Sequence, residues 1–284
     1  MDVETATESS RSGTAPRFGF IAASAFASAV GVIVAVLVDH LGVAIAGALA
    51  GREPALYHND VLYSSGGSDL ALGGGMVLSI LTGAFFLTLY PGSKRYDAAR
   101  LTTLWIVLHC FRQGFTPLAT MPFSTDSRIA RAFETLDVPA GLDLVIAAAG
   151  AVGLLAIALA SAPAFLGYAQ HRREIATPQD RFLFTVKLAL IPGVVGPLLA
   201  VPAFLPDAGT GFVQTLPLFG LFTVATVLAA LGTRTVRIED YRQAQVWSWL
   251  PLAWFLVLVV LFQLILSRGL YIPPSPADPF VVPL

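Results

Sequence analysis

Long runs of apolar residues, separated by short polar segments, cover most of this sequence. A helix needs about 20 mostly apolar residues to cross the hydrocarbon core of a bilayer. The runs that reach about this length are residues 20–50, 69–90, 101–121, 141–168, 182–205, 212–232 and 248–270. The pattern therefore predicts an all-α fold, a polytopic transmembrane helix bundle of about seven spans, with six and eight spans as the alternatives.

Two of these runs depart from a regular spanning helix. The first extends from Phe18 to Leu49 and exceeds one bilayer thickness, so we expect it to be tilted, kinked or broken near Asp39. It therefore forms either one helix or two. The fifth run is rich in proline and glycine, which predicts a kinked helix whose freed carbonyl groups are satisfied by neighbouring helices.

The polar segments at the two ends of the chain divide it into three parts. Residues 1–17 are rich in serine and threonine and are expected to form a disordered cytoplasmic tail. Residues 18–271 form a single transmembrane domain. Residues 272–284 form a proline-rich tail without regular structure.

Composition supports a membrane environment. The chain is 56% hydrophobic and only 12% charged, whereas about 25% of the residues of a soluble domain are charged. So few charges cannot cover a surface that faces water, so the lipid bilayer is the expected partner of most of the chain. The net charge of -1 argues against nucleic-acid binding. A membrane protein partner is compatible with this composition, and the oligomeric state is not predicted.

The positive charges predict the orientation. The N-terminal tail and the loops at 91–100, 169–181 and 233–247 share one side of a seven-span chain and carry eleven lysine and arginine residues, against four on the other side. Loops rich in lysine and arginine remain in the cytoplasm. We therefore expect a multi-pass protein of a prokaryotic plasma membrane, with its N-terminus in the cytoplasm and its C-terminus outside.

A few ionisable or polar residues lie inside the apolar runs. Asp39 and His40 are adjacent in the first run, and such residues are functional candidates because burying them in a membrane is costly. In the third run His109, Arg112 and Gln113 are spaced i, i+3 and i+4, so they share one face of a helix. Arg112 must either extend its side chain to the membrane surface or find a carboxylate partner, for which Asp39 and Asp126 are the candidates.

The segment VLVDHLGVAIAGALAG, residues 36–51, resembles the first core helix of the site-2 protease family of intramembrane zinc metalloproteases. In that family the helix carries an H-E-L-G-H motif. Asp39 occupies the position of its first histidine, His40 that of its glutamate and Val43 that of its second histidine.

The resemblance extends over about residues 30–135. The second apolar run is similar in character to the glycine-rich second helix of the family. Residues 116–130, TPLATMPFSTDSRIA, correspond to the end of the family's third core helix, whose aspartate is the third zinc ligand. Asp126 lies near that position, with a shift of about two residues, and the family's D-G-G turn is absent.

The departures from the motif change the expected chemistry. In H-E-x-x-H, two imidazoles one helical turn apart bind zinc and the glutamate activates water. Here Val43 cannot ligate a metal, and no glutamate lies inside any of the apolar runs. The resemblance therefore implies a pseudoenzyme, an integral membrane protein that binds a membrane substrate or partner without cleaving it. No catalytic residue is predicted.

Two alternatives remain open from the residues alone. The first is a small-solute or proton-coupled transporter that uses Asp39, His40 and His109, because ionisable residues within a membrane line ion paths. The second is a metalloenzyme with a rearranged zinc site built from His40, His109 and Asp126, whose side chains supply the nitrogen and oxygen ligands that zinc accepts. Zinc is the only cofactor considered.

Overall fold

A computed structural model describes residues 18–63, 69–90, 97–123, 128–137, 139, 141–206, 210–233 and 249–271. Within these ranges the chain is an all-α bundle with one small β-sheet. The helices are α1 (Phe18–Leu49), α2 (Gly74–Leu89), α3 (Ala98–Thr120), α4 (Arg128–Thr135), α5 (Leu142–Leu166), α6 (Pro178–Thr185), α7 (Ile191–Ala200), α8 (Thr210–Gly232) and α9 (Leu250–Leu264). The strands are β1 (Pro54–Leu56), β2 (Val61–Tyr63) and β3 (Leu270–Tyr271). The predicted tails, 1–17 and 272–284, lie outside the described residues.

The predicted all-α membrane fold is confirmed. Every predicted span coincides with a helix or with a run of consecutive helical segments. Among the described residues, five of these are long and apolar enough to cross a membrane: Gly19–Leu49, Ala71–Leu89, Leu142–Leu166, Pro178–Phe204 and Leu250–Arg268. The helix α3 also matches its predicted span, and its most polar face is directed into the bundle. The short helix α4 was not predicted.

The first span is a single helix. α1 is continuous over 32 residues, and no break occurs at Asp39. At 1.5 Å per residue it is about 48 Å long, whereas the hydrocarbon core is about 30 Å thick. Asp39 is therefore about 32 Å along the helix from Phe18, close to the far boundary of a membrane that begins at Phe18. With the membrane placed in this way, the ionisable pair belongs to one edge of the membrane rather than to its centre.

α1 lies at the centre of the bundle, in contact with α2, α3, α7 and α9. Residues on several of its faces are buried, including Ala27, Ala29, Val32 and Ala35. Because most of these side chains are small, several helices can approach its backbone at once. This explains why its middle section is rich in alanine, glycine and serine.

Close contacts fix the directions of the neighbouring helices. The backbone of Gly42, late in α1, touches that of Gly74 at the beginning of α2, so α2 runs back along α1. Trp105 and His109 of α3 contact Ser24 and Ser28 of α1 in the same order, so these two helices run in the same direction. The first half of α5 packs on the last turns of α3 in the opposite direction.

The fifth span is helical throughout but irregular, and its irregularity lies in the proline- and glycine-rich stretch for which a kink was predicted. It consists of α6, a π-helical turn at Val186–Leu190, α7, and a 3-10 turn at Val201–Phe204. Pro192 explains the π-helical turn, because it has no N–H for the carbonyl of Leu188 and its ring crowds that carbonyl. The helix widens at this point, and the Leu188 carbonyl accepts a hydrogen bond from another helix instead.

A three-stranded antiparallel sheet closes one end of the bundle. Its order is β2-β1-β3, and Ala55 in the central strand lies opposite Leu62 on one side and Tyr271 on the other. The sheet therefore joins the segment after α1 to the segment after α9. No strand was predicted here, because each is only two or three residues long.

Candidate functional site

The polar residues of the membrane domain are concentrated where α1 meets α3. On α1 they are Ser24, Ser28 and Asp39, and on α3 they are Trp105, His109 and Arg112. The α3 residues are spaced i, i+4 and i+7, so they lie on one face of the helix. We refer to these six residues as the polar seam. It begins near the first turns of α1 and ends at Asp39.

Ser24 joins three elements at the first level of the seam. Its hydroxyl oxygen accepts a hydrogen bond from Trp105 Nε1 at 3.0 Å and donates one to the carbonyl oxygen of Leu188 at 2.8 Å. That carbonyl is the one for which Pro192 provides no N–H. The serine therefore satisfies a backbone acceptor that the broken helix leaves open, in a region without water to replace it.

His109 occupies the next level and is almost fully buried. Its Nε2 lies 3.1 Å from Ser28 Oγ, and its ring stacks on Trp105 with centroids 5.4 Å apart. Gly31 allows this packing, because a Cβ at that position would lie 2.8 Å from His109 Cδ2. The imidazole is thus enclosed by α1 and α3 in the middle of the membrane domain.

Asp39 and Arg112 form the last level. They lie close enough for their opposite charges to attract each other. Arg112 is buried and also donates a hydrogen bond from Nη2 to Gln113 Oε1 at 3.0 Å. Asp39 is half-buried, and its carboxylate is packed against Gly75 of α2, where a larger residue would collide with it. Three helices therefore enclose this charged pair.

Two residues of the hypothetical zinc site, His40 and His109, lie apart from each other. His109 lies beside Ser28 and Gly31, whereas His40 is nine residues beyond Gly31 on α1, a separation of about 14 Å along the helix. His40 is buried. No group of three His, Cys, Asp or Glu residues that could hold a metal occurs within the described ranges. Asp126, the third predicted ligand, lies outside them.

Val43, at the position of the missing second histidine, has a structural role. Its side chain is buried, and its carbonyl oxygen accepts a hydrogen bond from Tyr63 Oη at 3.0 Å. The ring of Tyr63 packs against Gly47 one turn later. The small residues after Val43 therefore accommodate the α2 backbone and a tyrosine from β2.

His58, in the loop between β1 and β2, is enclosed by the protein. Its side chain is only 6% exposed, and its backbone N–H donates to the carbonyl of Leu266 at 3.2 Å. Neither ring nitrogen has a hydrogen-bond partner among the described residues. The loop is buried because the end of α9 packs over it, a long-range contact that local sequence does not indicate.

Sequence reasoning identified Asp39, His109, Arg112 and Gln113 but overlooked the serines. Ser24 and Ser28 are spaced i, i+4 in an otherwise apolar run, which places both on one helical face and was an available signal. Their importance depends on Pro192, which lies more than 160 residues away in sequence. Comparisons with protein-family models, curated proteins and solved structures found no match to this chain.

Proposed function

We propose that this chain is an integral membrane protein that binds a membrane substrate or partner at the Asp39–Arg112 end of the polar seam and does not cleave it. The observation that carries the proposal is the position of Arg112. Beside the segment that resembles the zinc-binding helix of the site-2 proteases, this chain places a guanidinium close enough to Asp39 for the two charges to attract each other.

The chemistry around Asp39 supports a site without metal. Zinc in a catalytic site has three protein ligands and one open position. Asp39 supplies one carboxylate, Val43 supplies no side-chain donor, and the positive charge of Arg112 disfavours a second cation. Among the described residues, Asp39 therefore has neither the companion ligands nor the general base that peptide hydrolysis requires.

The position of the pair supports recognition. Asp39 is half-buried near a membrane boundary, whereas Arg112 is buried behind it. A polar or charged group of a partner segment therefore has access to the carboxylate without crossing the membrane core. The Gly42–Gly74 crossing holds α1 and α2 too close together for either helix to move independently. The site is thus preorganised.

The finer localisation belongs to the same proposal. The seven-span alternation and the excess of arginine and lysine on one side support an N-terminus in the cytoplasm and a C-terminus outside. With this orientation, Asp39 and the sheet lie at the outer face of a prokaryotic plasma membrane. The partner would then approach from that side or from within the membrane.

Site-specific crosslinking tests the binding proposal. A photoreactive residue is placed at half-buried Val38, beside Asp39, and as a control at exposed Leu155 on α5. In native membranes we expect the residue at position 38 to form a discrete adduct with a protein. This adduct should disappear when the Asp39→Asn substitution is added. The control at position 155 should form only lipid adducts. Adducts at Val38 that are unaffected by Asp39→Asn would contradict the proposal.

Metal content separates this proposal from a zinc enzyme. Purified wild-type protein should contain less than about one zinc per ten chains, since no group of three ligands converges within the described part of the chain. About one zinc per chain, lost in a His40→Ala/His109→Ala variant, would overturn the noncatalytic assignment.

A second function is favoured by a different observation. The seam places Ser24, Ser28 and His109 beside a π-helical turn in a broken helix, and discontinuous helices are used in transport sites. A proton-coupled transporter would lose proton flux in liposomes when His109→Gln is introduced. Flux at the level of empty liposomes in the wild type, or equal flux in the variant, would argue against transport through the seam.

A further inference from the structure

Lys187 carries a positive charge inside the fifth span, Pro178–Phe204. It belongs to the π-helical turn Val186–Leu190, a distortion of the helix that is frequent at functional sites. Its side chain is half-buried, and within the described part of the chain it makes no hydrogen bond or ion pair. An ammonium group in an apolar span is costly unless it reaches a headgroup, water or an opposite charge. The residue is therefore a candidate for binding an anion.

The surface around Lys187 faces outward from the bundle and is apolar. Leu183, one turn before it, is 47% exposed, and Ile191, about one turn after it, is 40% exposed. Farther along the same span, Val194 and Leu198 are exposed as well. Large apolar side chains on the outside of a membrane span contact acyl chains. Lys187 therefore lies on a surface that faces lipid.

Contacts with α1 fix the depth of Lys187. The carbonyl oxygen of the next residue, Leu188, accepts the hydrogen bond from Ser24 Oγ, and Gly196 packs against Ser28. The fifth span therefore runs in the same direction as α1, and Lys187 is level with Ser24, about 9 Å along α1 from its first residue. Helical side chains tilt towards the N-terminus of their helix. The methylene stem of Lys187 thus leads its ammonium group towards the headgroups at the end where α1 begins.

The carboxylate of α6 is engaged elsewhere. Asp180 Oδ2 accepts hydrogen bonds from the backbone N–H and the hydroxyl of Thr177, at 3.0 and 2.7 Å. This capping box fixes the beginning of α6 and holds the carboxylate at the helix terminus. The charge of Lys187 is therefore not neutralised by its own helix.

We propose that Lys187 binds the phosphate of an anionic phospholipid whose acyl chains lie along Leu183 and Ile191. The site combines one cation with an apolar surface, so its occupant is both anionic and apolar. Basic residues near the membrane surface attract anionic lipids. Free phosphate has no apolar part to cover the exposed leucine and isoleucine, and in phosphatidylcholine the choline group cancels the charge of the phosphate.

The test uses the full-length protein in liposomes that contain equal amounts of phosphatidylglycerol and phosphatidylcholine. A photoreactive residue replaces exposed Leu183, and the lipid adducts of the two kinds are counted by mass spectrometry. The control places the same residue at exposed Leu159 on α5, a helix that contains no lysine or arginine. Each reporter is combined with Lys187, with Lys187→Gln and with Lys187→Arg, and gel filtration establishes that the proteins are folded.

At position 183 we expect about a fivefold excess of phosphatidylglycerol adducts when Lys187 is present, the factor that one basic residue near a membrane surface contributes. Lys187→Gln should reduce the ratio to about one, whereas Lys187→Arg should preserve the excess. At position 159 the ratio should stay near one in all three proteins. If Lys187→Gln does not fold, the comparison of positions 183 and 159 in the presence of Lys187 decides.

Three results would overturn the proposal. The first is equal labelling of the two lipids at position 183, or an excess that Lys187→Gln leaves unchanged. The second is loss of the excess in millimolar inorganic phosphate, which would identify free phosphate as the occupant. The third is a protein adduct in place of lipid adducts at position 183, which would mean that another chain covers this surface.

Discussion

α1 and α5 have almost the same mean hydropathy but opposite places in the protein. In the most apolar 18-residue stretch of each helix, 61% of the α1 stretch is buried inside the bundle, compared with 22% of the α5 stretch. α1 is surrounded by four helices, whereas one side of α5 is exposed, including Val145, Val152 and Leu155. Hydropathy thus identifies both as membrane helices, but it does not tell which of them organises the fold.

The difference lies in the residues that interrupt the apolar pattern. α1 has serine, glycine and aspartate at positions that face α3, and each of these residues has a specific contact there. Most of the exposed face of α5 consists of leucine, valine and alanine. Within a membrane, polar and small residues therefore mark the helix–helix contacts, because apolar side chains gain little by leaving lipid.

The largest expected effect comes from filling the closest α1–α3 approach. Gly31→Leu places a side chain 2.8 Å from the backbone of Trp105, which cannot move without displacing α3. We expect the free energy of unfolding to fall by about 3 kcal/mol, measured by unfolding in mixed micelles with SDS. Ala148→Leu, at an exposed position of α5, is the control and should change it by less than about 0.5 kcal/mol. Similar losses at both sites would remove the distinction between the two helices.

The second effect concerns charge. Asp39→Asn leaves the buried Arg112 without the carboxylate that faces it, and we expect a loss of about 2 kcal/mol in the free energy of unfolding. This is below the usual cost of breaking a buried pair, because Asp39 is only half-buried. Addition of Arg112→Gln should recover part of the loss. A double variant whose loss equals the sum of the single losses would show that the two residues are not coupled.

A smaller effect is expected at Ser24. Ser24→Ala removes the acceptor of Trp105 Nε1 and the donor to the Leu188 carbonyl, at a cost of about 1–2 kcal/mol in the free energy of unfolding. Thr88→Ala is the control, since its hydroxyl bonds only within α2 and is exposed. The Trp105 fluorescence should change with Ser24→Ala and not with Thr88→Ala. An unchanged spectrum and stability would assign no role to the serine.

The smallest effect is expected on the outer surface of α5. Leu155→Ala removes an exposed side chain that lipid surrounds in the folded protein and in the separated helix, so the free energy of unfolding should change by no more than about 0.5 kcal/mol. A loss of 2 kcal/mol or more would mean that this face of α5 is covered by protein.

The long apolar helices were predictable because the length of an apolar run is a local property of sequence. The site was predictable only in part. The spacing of His109, Arg112 and Gln113 placed them on one face, and the pairing of Arg112 with Gln113 agrees with it. The spacing does not show that His109 is turned towards Ser28 rather than towards His40, since this depends on how α3 is placed along α1.

The sequence by itself determined the membrane environment, the approximate positions of the long apolar helices and the irregular helix around Pro192, because apolar length and proline act locally. Only the tertiary structure decided that α1 is central, that Ser24 satisfies the Leu188 carbonyl, and that Arg112 lies near enough to Asp39 for their charges to attract. The physical reason is that a bilayer stabilises every apolar helix to a similar extent. The arrangement of helices then depends on close packing and on the pairing of a few polar groups, whose partners are far apart in sequence.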